Sequence, residues 1–162
     1  MYEIKTERLY LRTLTEADVE IVKCDEYKTD EAALEWIRWV NNRQEDINDT
    51  CFMFYIWLTQ TNELIGRVYF HRKVDLDNEV EIGYGINEEH RCKNYATEAA
   101  KAVVRFAFEQ AGQAVLAAIV AAENIASRRV IEKLGFTYCG VRTVFDNDEY
   151  REFDYFKLQR PE

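Results

Sequence analysis

Residues 81–100 read EIGYGINEEHRCKNYATEAA, an apolar strand that passes through a polar loop directly into a helix. The first-turn amides of a helix lack intrahelical partners and lie at the positive end of its dipole, so such a junction attracts anions. Arg91 and Lys93 add charge at that point, and a pyrophosphate fits there, although both side chains are equally at home as solvated surface cations. The loop is not a Walker loop, because no Gly-Lys-Ser/Thr follows. Gly83 and Gly85 fall inside the strand, ahead of the loop, rather than in a dinucleotide-binding turn.

Outward from this stretch, the downstream order reads helix 94–111, strand 114–121, helix 125–134, and strands 137–144 and 150–159. Gly112 and Gly135 stand just past the two helices, where a left-handed residue is wanted. The run 114–122 is apolar without alternation, which predicts a strand buried on both faces at the sheet centre. Upstream, residues 6–14 alternate, with Leu9 and Leu11 on one face and Arg8, Tyr10 and Arg12 on the other, the pattern of a half-buried strand. Thr15, with Asp18 three residues on, opens a helix, and Ala33, Trp36, Ile37 and Val40 form the apolar stripe of another over 30–42. Runs 51–59, 64–72 and 79–86, separated by turn residues, predict an antiparallel meander. The whole is a mixed α/β (α+β) fold with about seven strands.

The 162 residues are 48% hydrophobic, enough for one core, so a single domain over 1–162 is expected. A net charge of −9 repels a phosphate backbone and argues against nucleic-acid binding. The longest apolar run is too short for a bilayer span, and Glu3 and Glu7 stand where a signal peptide needs apolar residues, so a soluble, cytoplasmic protein is expected, with no membrane partner. Cys24, Cys51, Cys92 and Cys139 form no C-x-x-C pair and only His71 and His90 could assist them, so neither a metal site nor a disulfide framework is indicated.

Four short motifs, in order along the chain, carry a resemblance. Arg91-Cys92-Lys93-Asn94-Tyr95-Ala96 resembles the acyl-CoA-binding loop R/Q-x-x-G-x-G/A of the GNAT N-acetyltransferase superfamily. Thr6-Glu7-Arg8-Leu9 resembles the opening of its ribosomal-protein N-terminal acetyltransferase branch, and Glu81-Ile82-Gly83-Tyr84 its central strand. Asn124, Ser127 and Glu132-Lys133-Leu134-Gly135-Phe136 resemble its N-x-x-S-x-x-x-x-E-K-L-G-F signature. The resemblance covers essentially the whole chain. It departs in two places: Asn94 replaces the first loop glycine, and Ile131 stands where many members carry a tyrosine acid.

The resemblance implies a mostly antiparallel sheet, flanked by helices and splayed between the strand ending near Ile86 and strand 114–121, with pantetheine in the gap. Acetyl-CoA would then be the co-substrate. Backbone amides near Tyr84 to Ile86 would polarise the thioester carbonyl, and amides of Arg91, Cys92, Lys93, Asn94, Tyr95 and Ala96 would hold pyrophosphate. Asn124 would bond the pantetheine arm, or cap its helix, and Ser127 would lie near the sulfur. Glu81 is the best general base, the competing reading being a strand carboxylate paired with a cation. Trp36 and Trp39 lie on segments that in the family wall the acceptor cleft, although Trp36 also fits plain core, and His71 and His90 read as surface residues. Asparagine is the next most tolerant residue for positive φ, so the loop turn survives at Asn94. The expected reaction is acetyl transfer to an amine-bearing substrate, a small molecule or a protein N-terminus; a homodimer is left open. The alternatives are a catalytically weak acyl-CoA-binding or regulatory module and an enzyme for small amines, polyamines or aminoglycosides. The acidic surface favours a cationic acceptor, and titration arithmetic favours an α-amine: at pH 7 about a tenth is neutral at a pKa near 8, against under a thousandth for lysine near 10.4.

Overall fold

The computed structural model describes residues 1–23, 27–44, 46 and 49–162. Strands β1 (Glu3–Lys5) and β2 (Leu9–Arg12) lead into helices α1 (Val19–Lys23) and α2 (Asp30–Asn42). The meander follows as β3 (Cys51–Leu58), β4 (Leu64–Lys73) and β5 (Glu79–Ile86). Next come α3 (Tyr95–Glu109), β6 (Val115–Val120), α4 (Ile125–Lys133), β7 (Thr137–Asp146) and β8 (Glu149–Gln159). The strands form one sheet in the order β1-β2-β3-β4-β5-β6-β8-β7. Among the described residues it has eight strands, one more than the sequence predicts. Residues 6–14 are not a single strand, because the chain reverses where Thr6 N–H donates to Leu9 O at 2.9 Å, and β1 pairs antiparallel with β2.

Every neighbouring pair is antiparallel except β5–β6, which is parallel and meets only at Glu81 and Ala117. A parallel pair needs a crossover, and α3 supplies it across one face of the sheet. On that helix Ala99, Ala100, Val103, Phe106 and Ala107 are buried at helical spacing. The small alanines let it approach the sheet, and Phe106 meets Phe52 and Phe54 edge-on at centroid distances of 5.2 and 5.1 Å. On the opposite face, α2 buries Ala33 and Ile37 against Tyr55 and Trp57 of β3. Beyond the splay, Ala117 of β6 packs there with Phe153 and Tyr155 of β8. Leu116, Ala117, Ala118 and Val120 are all buried, as the non-alternating run predicts.

The α1 segment is fastened to the sheet by one ion pair. Arg12 donates to Asp18 at 2.8 and 2.7 Å and stacks over Trp57, and Asp18 also accepts the Thr15 N–H and O–H. The Arg12 hydrogen bonds hold the Asp18 carboxyl down at about 2. A depressed carboxyl stabilises the fold fully above its unfolded value near 3.9, and that contribution is lost as pH falls through about 2. Asp18→Asn should therefore cost about 2 kcal/mol in urea unfolding at pH 7, and the deficit should close as the pH is taken from 4 towards 2.

Candidate active site

Strand alternation sends the side chains of Ile82, Tyr84 and Ile86 to the α3 face and those of Glu81 and residues 83 and 85 to the other. The backbone alternates too. Asn87 N–H donates to Ile65 O of the neighbouring β4 edge at 2.8 Å, so in regular strand the N–H groups of Tyr84 and Ile86 point the other way, towards β6. Beyond the single contact at Glu81 and Ala117, β6 has turned away and does not meet them. A cavity of about 180 Å³ opens there, lined among others by Tyr69, Glu81, Gly83, Tyr84, Ser127 and Ile131.

Glu81 sits at the root of this splay and is buried, with 9% exposure. His71 Nε2 and Lys73 Nζ lie 3.5 and 3.6 Å from the same oxygen, Oε2. The cation-paired reading of Glu81 is thus fulfilled, and it coexists with a base role because Oε1 faces neither of these cations. His71, read from sequence as a surface residue, is instead the cross-strand partner of Glu81. His90 is buried, with Nε2 3.0 Å from Glu63 Oε1, and together with Glu89 these residues bring three ligand-type atoms within 4.8 Å of one another. Tyr69 folds across residue 83. A Cβ there would lie 2.4 to 2.7 Å from the tyrosine ring, so only glycine lets the phenol reach the splay. Burial, reinforced by Glu81, pushes the Tyr69 phenol above its ordinary titration range. On the far side of the gap, Tyr84 Oη lies 3.0 Å from Ser127 Oγ and 3.1 Å from Ser127 O. Asn124 caps α4 by accepting Ser127 N–H at 3.0 Å.

The loop before α3 uses two left-handed residues, Cys92 at φ 62° and Asn94 at φ 64°. The helix ladder starts with Glu98 N–H on Asn94 O, so the N–H groups of Tyr95, Ala96 and Thr97 precede it. Asn94 has the expected backbone, and its side chain makes no cap; its Oδ1 lies 3.4 Å from Lys133 Nζ. Arg91 turns back to donate Nε–H to Ile86 O at 3.0 Å, and Lys93 Nζ donates to Glu89 O. Lys133, which sequence reasoning quoted only inside a motif, therefore joins Arg91 and Lys93 around the helix start.

Thr6 and Arg8 also gain a function that composition could not reveal. Glu98 accepts the Thr6 hydroxyl at 2.6 Å, the Arg8 N–H at 3.0 Å and the Arg8 guanidinium at 2.7 Å. Burial alone would raise the Glu98 carboxyl, but these donors hold it below its usual range. Arg8 further donates to Lys93 O at 3.1 Å and lies over the Tyr95 ring. The loop is thereby clamped to the β1–β2 turn.

A second cleft of about 770 Å³ lies at the ends of β4 and β5, lined among others by Ile21, Tyr55, Arg67, Gly85, Ile86 and Arg91. Its helical wall is α1, through Glu20 and Ile21. Trp36 instead packs beside Tyr27, and Trp39 lies beside Arg43; neither lines this cleft. Two arginines face one glutamate in the lining, so the local charge does not follow the acidic surface as a whole. Cys51 is buried and Cys92 and Cys139 are exposed, all three as free thiols; Cys24 lies outside the described residues.

Residues 8–137 match the family described as the acetyltransferase (GNAT) domain. A Bacillus subtilis protein described as the uncharacterized N-acetyltransferase YoaA is 28% identical over 98% of this chain and 97% of its own length. In fold, the chain is similar to a ribosomal-protein-S5-alanine acetyltransferase from Vibrio fischeri, with a TM-score of 0.79 at 14% identity over 98% of this chain and 97% of the other. It is also similar to RimL, a ribosomal-protein α-N-acetyltransferase solved in complex with coenzyme A, with a TM-score of 0.78 at 16% identity over 98% of each chain.

Because Asn94 occupies the left-handed region without capping α3, Asn94→Gly should leave CoA affinity unchanged or tighten it. Asn94→Val should weaken it by about 1 to 2 kcal/mol through backbone strain. Titration calorimetry with CoA measures both; lost binding in the glycine variant would mean that the amide side chain itself holds the ligand.

Proposed function

This chain belongs to the GNAT family of acetyltransferases, and from that premise we propose that it is a single-domain cytoplasmic enzyme that passes acetyl directly from acetyl-CoA to an amine, a protein N-terminal α-amine being the favoured acceptor. The observation that carries this reading is the one-contact parallel pairing of β5 and β6, with the start of α3 placed at the open end of β5. The residues present fit the co-substrate. Tyr84 and Ile86 offer unpaired amides to pantetheine, and the N–H groups of Tyr95 and Ala96, with Arg91, Cys92, Lys93 and Asn94, form a cationic cradle for pyrophosphate. Among the described residues, no helix is long and apolar enough to cross a membrane.

In this reading the amine enters through the 770 Å³ cleft and attacks the thioester carbon, whose oxygen is polarised by a β5 amide. Glu81 Oε1 takes the amine proton, directly or through a water, while Lys73 and His71 steady Oε2. The new C–N bond forms, the C–S bond breaks, and the electron pair leaves with sulfur. Neither a covalent acyl-enzyme nor a nucleophilic cysteine is needed. The α-amine preference follows from its larger neutral fraction near pH 7. Relatives of the same fold that act on ribosomal proteins support it. A weakly active binding module loses one of its supports, since Asn94 keeps the loop conformation that the family's glycine would adopt.

Glu81→Gln should lower turnover by roughly 10²-fold or more with little change in acetyl-CoA affinity, read by thiol release over a panel of peptides and small amines. Wild-type turnover in that variant would leave Glu81 a structural role only. Arg91→Ala and Lys93→Ala should each weaken CoA binding by about fivefold, and added salt should mimic them. Affinity unchanged in both, at low and high ionic strength, would place the pyrophosphate elsewhere.

A further inference from the structure

Tyr84 is the one residue of β5 that reaches from the strand across the splay to α4. Its ring leaves β5 on the α3 face, and its hydroxyl ends 3.0 Å from Ser127 Oγ, 43 residues away in sequence. Ser127 is itself fixed, since its N–H is held by Asn124 Oδ1 at the start of α4. One turn further along the same face, Ile131 is buried and offers no polar atom. Among the described residues lining the 180 Å³ cavity, the remaining hydroxyl is that of Tyr69, which lies over residue 83 on the Glu81 side of the sheet. The cavity is therefore two-sided, with a carboxylate and a phenol on the cleft face and a phenol–serine pair on the helix face.

We propose that Tyr84 is a positioning residue for the leaving group: its phenol donates to Ser127 Oγ and thereby turns the serine O–H towards the sulfur of a thioester seated in the splay. The inference rests on pantetheine lying between β5 and β6. A serine hydroxyl has one proton and would otherwise be free to turn back onto its own helix, and a donor on its oxygen removes that option. The pair acts by hydrogen bonding rather than by giving up a proton. Burial pushes the Tyr84 phenol above its ordinary value, more than its bond to Ser127 lowers it. A thiol with a pKa near 8.5 is the stronger acid, so proton transfer from this phenol to a thiolate runs uphill. When the C–S bond breaks, the electron pair goes to sulfur and the Ser127 O–H holds the thiolate. Both hydroxyls end unchanged. The amine proton leaves from Glu81 to solvent, and CoA takes its own proton from solvent.

The test is the titration of CoA bound to the protein, followed by the ultraviolet absorbance of its thiolate, in the wild type, Tyr84→Phe, Ser127→Ala and the double variant, with binding of each first established by calorimetry. Phenylalanine keeps the ring and its packing, and alanine is a good helix former, so both variants are expected to fold. Each single variant should raise the bound thiol's pKa by about one unit, and the double variant should raise it no further, because Tyr84 acts through Ser127. Turnover at saturation should fall about tenfold, with KM for acetyl-CoA changed less than about twofold. A thiol pKa that moves in Ser127→Ala but not in Tyr84→Phe would overturn the role of Tyr84. One that moves in neither would place the sulfur away from this pair. Additive shifts would mean that the phenol touches sulfur itself. Failure of the wild type to bind CoA would instead overturn the pantetheine assignment, and this inference with it.

Discussion

The structure depends on a pairing that is made once and then abandoned. Strands β5 and β6 run parallel and meet at Glu81 and Ala117, and past that point each strand has a polar edge with no neighbour. Backbone N–H and C=O groups in a protein interior are almost always paired, so an open seam in the middle of a sheet is costly unless something fills it. The same parallel contact requires a crossover connection, and the crossover must begin where β5 ends. The start of α3, with its unsatisfied amides, thus falls at the mouth of the seam as a matter of topology. A ligand that is peptide-like along one part and anionic at the other fits both features together.

The geometry of that mouth is held from a distance in sequence. Glu98 gathers three donors from Thr6 and Arg8, while Arg8 also reaches Lys93 O and the Tyr95 ring. This explains why β1 and β2 are so short. Their turn is not a mere connection; it presents two side chains to the first turn of a helix about ninety residues later. From the other side Lys133, at the end of α4, reaches Asn94. The loop is braced by the first and the last thirds of the chain.

Much of this was legible in residue order. Alternation located the meander, and the apolar run located the central strand. The glycines after α3 and α4 do hold positive φ, at 67° for Gly112 and 87° for Gly135. Asn94 was legible because few residues other than glycine enter the left-handed region readily. What escaped was whatever depends on contact across strands or between distant elements. β1 is three residues long, too short for period-two patterning to register. His71 looks like any exposed strand histidine until the β4–β5 register sets it opposite Glu81. The Tyr84–Ser127 pair spans the seam, and no local pattern encodes it. The tryptophans of α2 misled because an apolar stripe specifies that a face is covered without specifying by what.

The two openings are built from different stretches of chain, and this separation has a bearing on how such proteins diversify. Apart from Ile86 and Arg91, the wide cleft is lined by α1, β3, β4 and the turns beside β5, all drawn from the N-terminal half. The opposite wall of the seam comes from β6 and α4, in the C-terminal half. Substitutions in α1 or along β3 can therefore reshape what enters without disturbing the clamp on α3 or the rung at Glu81. A lineage can explore new acceptors by drift in one half of the gene while selection on the other keeps the donor unchanged.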